Sequence, residues 1–234
     1  FLASYAFQQP IGRNGSLRAG LSFEDAQRSL RWDQLRFFDQ IDPVYGFSDP
    51  SGVPNPTAQV APGANGLAWF DAHAGILIHS RKVYLGASYL HLPGPNTAFY
   101  DSNRDPIPRA LSVQAGALLP FGGSKDLPTI FAPRLLYFRQ GPFQQAQAAV
   151  RLGLGPILVG GGFRYAFGNS DAVVAEAGWR KGIFALAYSY DVAVGPTAGI
   201  SGGAHEISIN WRLGQDSPRQ RRQNLGKSLA CPVF

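Results

Sequence analysis

Methionine is absent from the 234-residue chain, and cysteine occurs once. A single thiol, Cys231, excludes an internal disulfide framework. It lies in Ala230–Cys231–Pro232 with no basic group set to activate it, so thiol catalysis is not expected. Charge is scarce: Asp, Glu, Lys and Arg make up 15% of residues, against about a quarter in ordinary globular proteins. With 45% hydrophobic residues, disorder over most of the length is excluded. Long apolar runs are missing as well. The charge-free stretches 50–70 and 83–100 are broken by prolines, so neither supplies the roughly 20-residue apolar span of a membrane helix. No charged-then-apolar leader opens the chain. The missing initiator predicts that the sequence starts downstream of the protein's true beginning.

What is abundant is glycine, at 28 residues, and aromatics, at 12%, a balance that favours all-β structure. The net charge is +6, with part of it in the last residues, where Arg219, Arg221, Arg222 and Lys227 outweigh Asp216. The body is too mildly basic to predict nucleic acid as a partner.

Apolar and polar residues alternate through eleven segments. In Ile183–Val192, Phe184, Leu186, Tyr188 and Tyr190 point one way, and Ala185, Ala187, Ser189 and Asp191 the other. In Trp69–His79, Phe70, Ala72, Ala74, Ile76 and Ile78 alternate with Asp71, His73 and His79. The same period runs through Leu2–Gln9, Leu17–Glu24, Val83–Leu92, Arg109–Leu119, Thr129–Phe138, Gln145–Leu154, Ile157–Phe167, Ala172–Trp179 and Ala204–Leu213. The one helix-like stretch, Phe23–Leu35, has a weak period.

Alternation suits a soluble sandwich or a transmembrane antiparallel β-barrel equally, because the barrel only turns its apolar face outward. Three details favour the barrel. The minor faces carry mid-strand charges, Asp71, Arg134, Arg151, Arg164, Glu176, Asp191, Glu206 and Arg212, mixed with Gly and Ser as in a wet lumen. Aromatics such as Tyr84, Tyr89, Phe167, Trp179 and Trp211 gather near strand ends, like interfacial girdles. Connections alternate long and short, with 25–68, 93–108 and 193–203 the longest, and the pair 120–128 and 139–144 breaking the rule. Barrels of this kind normally close with an even strand number, so about 11 strands here predicts about 14 in the intact protein. The barrel is expected over 1–213 and a basic periplasmic tail over 214–234.

No catalytic constellation emerges. His73 and His79 share a strand face but stand about 20 Å apart, too far to co-ligate a metal. Asp191, Ser201 and His205 lack the strand-to-helix elbow of a hydrolase, and Gly160–Gly161–Gly162 has no following helix to make a phosphate loop. Those glycines are expected to relieve crowding on a curved wall. No enzyme activity, metal or cofactor is expected.

The last third carries Tyr188–Ser189–Tyr190–Asp191, the loop Gly199–Ile200–Ser201–Gly202–Gly203 and the ending Ala204–His205–Glu206–Ile207–Ser208. Upstream stand Gln27–Arg28–Ser29–Leu30–Arg31–Trp32–Asp33–Gln34–Leu35 and Phe38–Asp39–Gln40–Ile41–Asp42–Pro43, then Lys82–Val83–Tyr84–Leu85–Gly86 and Phe143–Gln144–Gln145. Together they resemble the PorP/SprF family of outer-membrane proteins in the type IX secretion and gliding machinery of Bacteroidota. The resemblance implies a multi-pass barrel in outer-membrane lipid that supports secretion and surface anchoring of a large adhesin through its C-terminal region. It also implies periplasmic contacts with type IX ring or peptidoglycan-associated components. The main alternative is a porin or a channel for small or hydrophobic substrates; a soluble β-rich enzyme is a third. The aromatics Trp32, Phe37, Phe38, Tyr45, Phe99 and Tyr100 are the expected partner-binding rim, supported by Asp191, Gly202, Gly203, His205 and Glu206. Within 25–68, the proline-rich half is expected to be an exposed arm.

Overall fold

The computed structural model describes residues 1–100, 104–123, 128–168, 171–195, 198 and 202–211. Among them the chain forms twelve strands in one sheet: β1 Leu2–Ile11, β2 Gly15–Ser29, β3 Gly66–Ser80, β4 Val83–Leu90, β5 Ala110–Ala117 and β6 Leu119–Gly123. The second half comprises β7 Pro128–Gln140, β8 Phe143–Leu154, β9 Ile157–Ala166, β10 Asp171–Lys181, β11 Phe184–Ala193 and β12 Ala204–Trp211. Every pairing is antiparallel and follows chain order. β5 and β6 both pair with β7 and form a single pass interrupted at Leu118, so the sheet has the eleven passes that the alternation predicts. Arg212 and the tail 214–234 with Cys231 lie outside the described residues.

Two boundaries differ from the sequence reading. β2 runs on to Ser29, pairing Ala26 with Trp69 and Ser29 with Gly66, so the helix-like period after Phe23 is a strand as far as Ser29. The connection 120–128 shrinks because β6 occupies Leu119–Gly123. Its alternation is hidden by Pro120 and a register shift between Pro120 and Gly122, an irregularity that lets proline sit in a ladder.

The sheet is inside out relative to a soluble protein. Its buried hydrophobic residues are all alanines, whereas Phe70, Ile76, Ile78, Leu85, Leu135 and Leu186 are exposed. The largest fully buried side chain is the carboxylate of Asp71. Registers carry one parity through the whole chain: Asp71 faces Glu24, Tyr84 faces His79 and Gly116, Arg134 faces Gly116, and Glu176 faces Gly160 and Ser189. Polar and charged groups therefore share one face.

That face is concave. Three strand spacings, about 14 Å, separate β7 from β10 along a flat sheet. Yet Arg134 of β7 reaches Glu176 of β10 at 3.2 Å, and Arg151 of β8 meets the same carboxylate. Gly160 of β9 makes room, since a Cβ there would lie 2.8 Å from Glu176 Cγ and 2.9 Å from the Val150 carbonyl. Small residues inside a curved wall and large apolar ones outside describe a membrane β-barrel. The sheet is not closed, because β1 and β12 each have one paired neighbour. No helix among the described residues is long and apolar enough to cross a membrane.

Candidate functional site

Strand direction sends all the long connections to one end. The segments 30–65, 91–109 and 194–203 leave one rim, together with the short links 141–142 and 167–170. The opposite rim has only 12–14, 81–82, 124–127, 155–156 and 182–183.

The connection 30–65 is folded, although it holds little regular structure beyond the 3₁₀ turns Trp32–Gln34 and Phe38–Gln40. Gln40 is its buried hub: its Oε1 accepts from the Phe37 amide at 2.9 Å and its Nε2 donates to the Asn55 carbonyl at 2.6 Å. Asn55 donates in turn to the carbonyls of Gln40 at 2.8 Å and Gly46 at 3.0 Å. Asp39 accepts from the Ala58 amide at 2.7 Å and from the Thr57 hydroxyl. Asp42 accepts from the amides of Val44 and Tyr45 at 2.8 and 2.9 Å, closing a turn sealed by the Asp42–Gly46 bridge. These donors hold both carboxyls below their ordinary 3.8: for Asp39 chiefly the Ala58 amide, and for Asp42 the amides of Tyr45 and then Val44. The proline-rich half is exposed over most of its length, as expected, but it is tied back through Asn55, Thr57 and Ala58 rather than standing off as a separate arm.

A second connection braces the first. In 91–109, Asn96 bridges Pro106, and Thr97 donates to the Asp105 carbonyl through its amide at 2.9 Å and its hydroxyl at 3.0 Å. Tyr100 donates its hydroxyl to the Val60 carbonyl at 2.7 Å, and Arg28 stacks its guanidinium 4.8 Å from the Phe99 ring centre.

The candidate rim aromatics accordingly divide. Trp32 and Phe37 pack on one another with centroids 4.9 Å apart, while Tyr100 joins the two connections and Phe99 ties the second to Arg28 at the end of β2. Phe38 and Tyr45 instead project into solvent, 90% and 60% exposed, beside the exposed Ile41, Val44 and Phe47.

At the third connection, Gly203 adopts φ +80°, and a Cβ there would stand 2.6 Å from the Asp191 carbonyl and 2.9 Å from the Tyr190 ring. Only glycine fits on both counts. Tyr190 stacks on His205 at 4.4 Å and donates to the Gly202 carbonyl, and Tyr188 shares a 2.7 Å hydrogen bond with His205 Nδ1.

Residues 1–211 match the family described as type IX secretion system membrane protein PorP/SprF. The chain belongs to the PorP/SprF family. No curated protein matches it. The PorP/SprF protein is thus a membrane component of the type IX secretion system, built as an all-β barrel-type sheet.

The motifs that carried the resemblance now have physical roles. In Asp39–Gln40–Ile41–Asp42–Pro43 the three polar side chains each satisfy loop amides, and Ile41 is left exposed. In Gly202–Gly203–Ala204–His205–Glu206 the glycine admits the Tyr190 ring, which His205 then covers. The members do not act on one face, however. His205 pairs with Tyr190 on the apolar face, whereas Glu206 pairs with Ser189 on the concave face. Asp191 meets Arg164 at 2.8 Å, across one intervening strand. Asp191, Arg164, Arg134, Arg151 and Glu176 all line the concave wall as the parity predicts, but they form two clusters. Asp71 joins neither and meets His91 instead. Asn55, Ile41, Val44 and His91 were missed as site residues. Nothing local marks Asn55 or His91, because their partners are distant in sequence.

Proposed function

We propose that this PorP/SprF protein is a non-enzymatic outer-membrane barrel whose long-loop rim faces the cell exterior and holds a secreted cargo protein by its C-terminal region. The reading rests on one observation above all: Phe38 and Tyr45 stand exposed on a loop that its own hydrogen bonds have already ordered. An exposed aromatic on an ordered frame loses little conformational freedom on binding, which is what an interface hot spot requires. A stable interface needs about 800 Å² per partner, an area that two-residue turns do not offer. Long loops outside and short turns in the periplasm are the ordinary arrangement of such barrels. In the same orientation the basic tail 214–234 belongs to the periplasm, where Arg219, Arg221, Arg222 and Lys227 suit acidic faces of ring or peptidoglycan-associated components. The large partner is an adhesin carrying a type IX C-terminal signal.

Replacing Phe38 and Tyr45 together by serine tests the reading in the native cell. The expected result is normal barrel abundance in the outer membrane with the cargo lost from the surface. Unchanged display of the cargo would overturn it.

A further inference from the structure

Three side chains, Asp71, His73 and His91, none of them in the rim aromatics or the two arginine clusters, converge on one point. Asp71 and His73 lie two residues apart on β3 and so share a face. Glu24 pairs opposite Asp71 on β2, and its Oε2 stands 3.5 Å from His73 Nε2. His91, just beyond the end of β4, brings its Nδ1 to 2.5 Å from Asp71 Oδ2 and donates its amide to His73 Nδ1 at 3.1 Å. One donor atom from each of Asp71, His73 and His91 lies within 4.8 Å of the other two.

Two features set this group apart from a simple ion pair. Asp71 is 1% exposed, and its Oδ1 has only its neighbour's amide, from Ala72 at 2.7 Å. A carboxylate buried to that degree needs a cation or a full set of donors. His91 also takes φ +57°, making it the one non-glycine residue with a left-handed backbone among the described residues. That conformation is uncommon for histidine and tends to mark sites where geometry is imposed for function. Its effect is to aim the ring of His91 at Asp71 and against the ring of His73, centroids 5.3 Å apart and nearly perpendicular. A lone His–Asp pair would not need the second imidazole.

We propose that Asp71, His73 and His91 bind a divalent first-row transition metal of the zinc type. Two imidazoles with one carboxylate suit zinc and its neighbours, whereas calcium and magnesium prefer oxygen alone. Zinc with ligands at about 2.0–2.1 Å in a tetrahedron sets its donors about 3.3 Å apart. The Asp71–His91 contact has to open by about 0.8 Å and a separation of up to 4.8 Å to close by about 1.5 Å, and His73 has to release the bond that its Nδ1 accepts from the His91 amide, all within the reach of side-chain rotation. Its ligands come from β3 and the start of 91–109, so a bound metal staples these two together on the wall beneath the long-loop rim, and it stands independently of what that rim binds.

The test uses the full chain in detergent, free of any polyhistidine tag, stripped with chelator and titrated with zinc chloride by calorimetry. The expected result is one zinc ion per chain, with His73→Ala and His91→Ala each weakening binding by at least about 100-fold, and His79→Ala, on the same face but remote, without effect. Wild-type X-ray absorption reads the site even if a variant fails to fold, and it should show two imidazoles among light-atom ligands. A folded wild-type chain that retains no zinc would overturn the proposal. So would zinc retained equally by both alanine variants, or absorption spectra without imidazole.

Discussion

Asn55 and Gln40 clasp one another in both directions: Gln40 donates its side-chain amide to the Asn55 carbonyl at 2.6 Å, and Asn55 returns the bond at 2.8 Å. Fifteen residues separate them, so this exchange closes the longest connection of the barrel on itself. Replacing Asn55 by alanine removes the donor to the backbone carbonyls of the buried Gln40 and of Gly46, a cost of about 1–3 kcal/mol. Amides of 37–58 should then exchange faster with solvent by roughly the corresponding factor, while the strands keep their protection. Equal loss in strands and loop would mean that the connection is not an independent unit.

Acid should open the same connection. Asp39 and Asp42 have folded pKa values below their ordinary 3.8, so the order they confer is fully present above about pH 4 and is lost as pH falls through the lowered values. Hydrogen exchange at Val44, Tyr45 and Ala58 should therefore stay slow down to about pH 4 and rise only below it. Opening that begins near neutrality would contradict the assigned donors.

Leu186 and Ala185 test the two faces of the wall. Leu186 is 40% exposed on the apolar face and its neighbour Ala185 is buried at 8% on the concave face. Arginine at Leu186 should cost about 2–4 kcal/mol of folding stability in lipid if the site lies near mid-bilayer. Equilibrium refolding in phospholipid vesicles measures this, and a neutral effect would place the apolar face away from lipid.

The glycines of β9 offer a paired comparison. A Cβ at Gly160 meets the Val150 carbonyl at 2.9 Å, a backbone atom that cannot swing aside, whereas one at Gly161 finds its nearest neighbour at 3.4 Å. Gly160→Ala should lower stability by about 1–3 kcal/mol, and Gly161→Ala should be nearly silent in the same refolding assay. Equal effects would show that crowding on the concave wall does not select glycine at 160.

How much of this was readable in the sequence follows from the range of each interaction. Strand period depends on immediate neighbours, so Asp71, Arg134, Arg151, Arg164 and Glu176 could be assigned to one face from alternation alone. The pass through β5 and β6 was only half visible, because Pro120 and the adjoining bulge interrupt the pattern. The pairs that order 30–65, such as Gln40–Asn55, were invisible, since no local pattern announces them. His91 escaped for a related reason: only its left-handed backbone turns it toward Asp71, and nothing in Leu90–His91–Leu92 signals that turn. The rim aromatics were found as a set, but their division into packed Trp32 and Phe37 and exposed Phe38 and Tyr45 depends on tertiary contacts.

The central claim is that the long-loop rim holds a secreted protein, and site-specific photocrosslinking in living cells addresses it most directly. A crosslinking residue placed at Phe38 or Tyr45 should yield an adduct with one large secreted protein, and the same residue at Lys82, in a short turn of the opposite rim, should not. No protein adduct from either rim position, or the same adduct from Lys82, would contradict the account.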